Sequence, residues 1–183
     1  MQAQRPYILP IKGLKTGIHT YELIADDDFF ASFEDSPVQH ANLQLTINLD
    51  KRHRDMVIDF VFSGTIRTEC DRCLMEIDFP VSGNDQLTVQ YETDVDRDAD
   101  DLSLVIISPD EHELNLAPFA YEFFVLSLPM IRTYECQAGE PPYPCDQELL
   151  DDIEKQHQAQ SEASKDNSNK PSAWDALKDW NKN

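Results

Sequence analysis

Two alternating runs joined by a charged turn restrict the fold of this chain more than any other feature. In "VQHANLQLTINLD", Ala41, Leu43, Leu45, Ile47 and Leu49 fall on one side of an extended backbone, and Asn42, Gln44, Thr46 and Asn48 on the other. After Lys51–Asp55 the run "MVIDFVFSGTIRTEC" repeats the pattern with Met56, Ile58, Phe60 and Phe62. A period of two over this length specifies half-buried strands, because successive side chains point to opposite faces of a sheet. The two runs predict a long antiparallel hairpin with one apolar face.

Neighbouring segments extend the same reading. "GIHTYELIAD" places Ile18, Thr20 and Glu22 opposite His19, Tyr21 and Leu23, as in a further strand. "DDDFFASFEDSP" reads as a turn-rich link with one helical turn after Asp28. "MEIDFPVSG" and "DQLTVQYE" look like a second strand pair turning at Gly83-Asn84. "LSLVII" reads as a short buried strand. In "ELNLAPFAYEFFVLSLPM", Leu116, Phe119, Ala120, Phe123 and Leu126 recur at helical spacing. Asn115 or Asp110 is placed to cap its start, Pro118 suits a first turn, and Pro129 ends it. The expected class is therefore α+β: mostly antiparallel sheet, barrel-like or two-layered, with one core helix near 115–128.

The C-terminal part differs in composition. "QELLDDIEKQHQ" suits a short exposed helix, and "AQSEASKDNSNKPS" is too polar to bury, so a flexible tail is expected over 158–183, after a domain spanning 1–157. Within it, Trp174, Leu177 and Trp180 form one stripe of a short amphipathic helix at 173–180. Such a stripe either docks on the body or binds another protein.

Charge limits the partners. The 183 residues carry 35 acidic and 15 basic side chains, a formal charge of −20. Binding nucleic acid through its phosphates needs clustered Lys and Arg, and the one basic cluster, Lys51-Arg52-His53-Arg54, is small. An anionic membrane surface is disfavoured for the same reason. No apolar run is long enough for a membrane span, and "MQAQRPYILPIKGLKTG" lacks the apolar core of a signal peptide, so a cytoplasmic protein is expected. The acids of Glu92–Asp101 alternate, yet no glycine or closing glutamate completes a calcium loop.

Four cysteines carry the remaining chemistry. Cys70-Asp71-Arg72-Cys73 could present two thiolates to a tetrahedral zinc, completed by Cys136 and Cys145. The latter pair is separated by eight residues rich in proline, wider than a standard knuckle. A thiol oxidoreductase using Cys70 and Cys73 is the alternative, but redox pairs of that kind sit at a helix N-terminus, and this one lies between strands. Reduced cysteines without metal, or a Cys136–Cys145 disulfide, are the third possibility. The five histidines lie apart, no glycine-rich phosphate loop exists, and no catalytic residue stands out.

Taken together, "TECDRCL", "LNLAPFAYEFFVLSLPM", the Cys136 region and the terminal "KPSAWDALKDW" resemble the YceD family of large ribosomal RNA subunit accumulation proteins. "YILPIKGLKTGIHTYEL" also suits it. The resemblance implies a role in accumulation or maturation of large-subunit ribosomal RNA and no known catalytic residues. Its Cys-x-x-Cys carries over to Cys70 and Cys73. With a charge of −20, the expected partner is a basic ribosomal protein or assembly factor, with rRNA associated indirectly and Trp174, Leu177 and Trp180 as an anchor. A dedicated acidic chaperone for one basic ribosomal protein is a variant of this reading.

Overall fold

The structure is a computed structural model that describes residues 2–92, 104–135 and 144–166. These fall into two compact units: Met1–Asp71 with Glu76–Tyr134, and Arg72–Met75 with Glu135–Asn183. The stretch 173–180 and residues Trp174, Leu177 and Trp180 lie outside the described residues, as do Cys136 and most of the 92–101 acidic run.

The first unit is built on an open five-stranded sheet. Its strands are β2 (Gly17–Asp26), β3 (His40–Lys51), β4 (Asp55–Glu69), β5 (Glu76–Tyr91) and β6 (Leu104–Ile107), in spatial order β2-β3-β4-β5-β6. All pairings are antiparallel except β5 with β6, which is parallel. The sheet does not close into a barrel; β2 and β6 are its edges among the described residues. A small second sheet pairs β1 (Ile8–Pro10) with β7 (Glu113–Asn115).

The predicted hairpin is β3–β4, in register from His40↔Arg67 to Lys51↔Met56. The inward-facing Leu43, Leu45, Ile47, Leu49, Met56, Ile58, Phe60 and Phe62 are almost entirely buried. The opposite face mixes polar pairs with the exposed Ile18, Ile24 and Val61: Thr20 Oγ1 donates to Asn48 Oδ1 at 2.8 Å, and Gln86 Nε2 to Asp59 Oδ1 at 2.6 Å.

Gly83-Asn84 do not turn. β5 is one continuous strand whose residues pair with β4 from Gln90↔Asp55 to Glu76↔Glu69. A two-residue hairpin turn needs positive φ at its centre, and neither residue has it. Gly83 serves packing instead: a Cβ there would meet the ring of Phe62, its cross-strand partner, at 2.5 Å.

One face of the sheet is covered by α1 (Asp27–Ala31), α2 (Ala117–Leu126) and the β1–β7 pair. Asp26 caps α1, its side chain accepting from Phe29 N at 3.1 Å. The capping side chain expected at α2 is Asn115, whose Oδ1 accepts from Ala117 N at 3.0 Å. Buried positions on α2 are Ala117, Ala120 and Phe124, with Phe119 and Phe123 partly buried, whereas Leu126 is exposed. The buried stripe is thus rotated by about a residue from the one expected, toward the ring cluster of α1. Phe124 lies 5.8 Å from Phe29 and 4.6 Å edge-on to Phe62, and Phe29 lies 4.5 Å from Tyr7. The Tyr7 hydroxyl donates to Ile24 O at 3.1 Å, and burial pushes it well above the usual phenol range.

In the second unit, α3 (Gln147–Asp166) is longer than the short helix expected from "QELLDDIEKQHQ". The sequence that follows, "AQSEASKD", is polar but rich in good helix formers, so it continues the helix without needing burial. The Asp146 side chain accepts from Leu149 N at 3.1 Å at its start.

Candidate functional site

Strand β4 separates two candidate sites. With about 3.3 Å per residue, its 15 residues span roughly 45 Å, from the Arg52–Arg54 turn to Cys70. The cysteine motif occupies the loop between β4 and β5, and no helix begins there: β5 follows at Glu76. The helix dipole that lowers the pKa of a redox thiol is therefore lacking at this pair.

Cys70 is fully buried, Cys73 is 3% exposed and Cys145 is 8% exposed. Cys73 and Cys145 belong to the second unit, although 71 residues separate them in sequence. Cys145 is disulfide-bonded. Among the described residues, no group of three or more His, Cys, Asp or Glu is arranged to hold a metal ion; the fourth cysteine, Cys136, lies outside them. Leu74, directly after Cys73, takes a positive φ of 60° while its side chain stays exposed. A left-handed conformation at a leucine costs about 1–2 kcal/mol, so the loop is held by its surroundings.

The surroundings of Asp71 in the first unit were not legible in the sequence. Its backbone N–H donates to Arg132 O at 2.8 Å, and its carboxylate accepts from Arg132 N at 2.5 Å. This reciprocal pair ties the end of β4 to the segment after α2, 61 residues on. The Arg132 Nε is buried without a hydrogen-bond partner among the described residues. A hollow of about 350 Å³ opens beside it, lined by His40, Arg67, Glu69, Asp71 and Glu76.

His40, Arg67 and Asp78 are successive cross-strand partners on β3, β4 and β5. Arg67 Nε meets Asp78 Oδ1 at 3.3 Å, and His40 Nδ1 meets Asp27 Oδ2 at 2.9 Å. Asp27 Oδ1 also accepts from Ala41 N at 2.8 Å. The hydrogen bond from His40, then that from Ala41, holds the Asp27 carboxyl below the usual carboxylate range. These polar groups form a mixed-charge rim at the cysteine end. They contain no nucleophile paired with a base, the arrangement that nucleophilic catalysis requires.

At the opposite end the structure assembles a basic groove that the sequence showed only in part. Lys12 joins Lys51, His53 and Arg54 around a cavity of about 510 Å³. Along the flank of α2 and just beyond it, Leu126, Met130 and Ile131 are exposed, Met130 at 99%.

No curated protein and no solved structure matches the chain. No helix among the described residues is long and apolar enough to cross a membrane. Comparison with protein families gives a match over residues 58–180, about two thirds of the chain. It begins within β4 and includes the Cys-x-x-Cys loop, the α2 segment and Trp174-x-x-Leu177-x-x-Trp180. The chain accordingly belongs to the YceD family, described as "Large ribosomal RNA subunit accumulation protein YceD".

Proposed function

We propose that this protein is a non-enzymatic ribosome-biogenesis factor that supports large-subunit ribosomal RNA through contacts with ribosomal or assembly proteins. The observation that carries the reading is the family match over residues 58–180. The charge of −20 favours a basic protein partner, as long-range attraction speeds encounter and selects the sign of the surface met. The exposed Leu126, Met130 and Ile131 beside α2 supply apolar contact area of the kind interfaces use. Trp174, Leu177 and Trp180 are the anchor in this reading, and the cytoplasm is where it acts. Depleting the protein in its source cell is expected to lower large-subunit rRNA relative to small-subunit rRNA, with recovery on re-expression. An unchanged ratio would refute the role.

The cysteines serve as a brace in this account. A structural zinc held by Cys70, Cys73, Cys136 and Cys145 would close the β4–β5 loop without opening a catalytic position. Burial of the three described cysteines supports it. Because a cysteine ligates zinc as its thiolate, the disulfide state of Cys145 is incompatible with the metal, and the brace requires reduced cysteines. Elemental analysis of protein purified under reducing conditions without chelator is expected to give one zinc per chain. Alkylation-prone thiols and no metal would instead favour the oxidoreductase alternative.

A further inference from the structure

The groove at the β3–β4 end combines features that the acidic remainder of the chain lacks. The Lys51 side chain crosses to the N-terminal segment, its Nζ donating to Ile11 O at 2.6 Å. Ile11 and Lys12 are in turn fixed by His112 O, which accepts from both backbone N–H groups at 2.9 and 3.2 Å. Gly13, with φ of 86°, turns the chain there. The Tyr91 backbone N–H donates to Arg54 O at 3.2 Å, holding the basic turn against the end of β5. Lys12, His53 and Arg54 are thus brought to one cavity although 40 residues separate Lys12 from the turn.

The charges at this site are available. Lys12 and Arg54 are exposed and make no ion pair among the described residues, while Arg52, on the same turn, is already engaged by Asp50 at 2.9 Å and Asp55 at 3.5 Å. Among the described residues Glu111 is the one carboxylate lining the cavity, against Lys12, Lys51 and Arg54. The remaining walls include Ile11, Pro109 and the half-buried ring of Tyr91, whose hydroxyl lies 3.5 Å from Met56 Sδ. Cations beside an aromatic and apolar floor are what a nucleotide requires: phosphate meets the cations, and a base has a ring on which to stack. A cavity of about 510 Å³ falls within the range of small-molecule sites.

We propose that this groove binds one nucleotide of single-stranded RNA, with Lys12, His53 and Arg54 on its phosphate and Tyr91 under its base. In a chain of −20 such a contact is weak and directional. Acidic faces repel the RNA everywhere else, so the contact sets which end of the protein faces it. The choice of RNA over another phosphate source rests on the ribosome-biogenesis reading; the groove does not.

The test is fluorescence anisotropy with a labelled single-stranded RNA ten-mer of adenosines at 50 and 200 mM salt, using the full chain. The Lys12→Ala/Arg54→Ala double variant is expected to bind at least fivefold more weakly and to show a shallower salt dependence, by about one unit of slope per cation removed. Tyr91→Leu should weaken binding with the salt slope unchanged, and Arg52→Ala should change nothing. Adenosine monophosphate should compete better than inorganic phosphate. Equal binding by the double variant overturns the proposal, as does no binding by the unaltered chain. Equal competition by inorganic phosphate reduces the groove to a simple anion site, and preference for a phosphoserine peptide assigns it to a protein partner; each result rejects the nucleotide. No RNA binding by the unaltered chain, with large-subunit rRNA still lowered on depletion, would reject this site alone and leave the biogenesis role standing.

Discussion

At the scale of single residues, the polar rim near the cysteine loop is held by short, specific bonds. Asp27 illustrates how they respond to pH. Its carboxyl is held below the usual range, so the folded protein binds this proton less readily than the unfolded chain. The resulting stability is present above the ordinary carboxylate pKa and is lost as pH falls through the lowered folded value. Asp27→Asn is expected to melt at a lower temperature than the unaltered protein at pH 7, with the difference closing in acid. Thermal melts at pH 7, 5 and 3 would measure it, and a difference that grows in acid would contradict the assignment. Asp85 has the opposite sign: partial burial raises its carboxyl, so its ionisation at neutral pH works against the fold. The Asp71–Arg132 pair could not be read from sequence, because nothing in "CDRC" or "MIRTY" marks two groups 61 residues apart as partners.

At the scale of elements, periodicity told most where one face is buried and the other wet. The β3–β4 hairpin was legible for this reason: a one-residue slip would turn every apolar side chain to solvent. The Gly83-Asn84 pair misled because glycine in a strand has two uses, and here it makes room for the Phe62 ring and does not reverse the chain. Gly64 is a second such case. A Cβ there would run into the backbone of Asn42 and Leu43 on β3, atoms that cannot swing aside. Gly64→Ala is therefore expected to cost about 1–3 kcal/mol in denaturant unfolding, in the range of overpacked cores. A variant as stable as the parent would mean that β3 and β4 are spaced more widely than described. The α2 stripe was legible as a helix but not in its rotation, which is set by the rings of α1 that it meets.

At the scale of the whole molecule, topology sets two chemically different ends apart. One end of β4 carries the cysteine loop and its mixed-charge rim, and the other carries the basic groove. The sequence exposed the Lys51–Arg54 cluster but not Lys12 beside it, because the sheet and the N-terminal strap bring them together only on folding. Membership in the YceD family ties the chain to ribosome biogenesis, and the proposal of action through protein contacts adds a partner to that role. The direct measurement is affinity purification of the tagged full chain from its source cells, with half of each eluate treated with ribonuclease before washing. Large-subunit ribosomal proteins or assembly factors should be recovered, and should remain after ribonuclease treatment. Recovery that vanishes with the RNA, or an eluate without ribosomal components, would contradict the account.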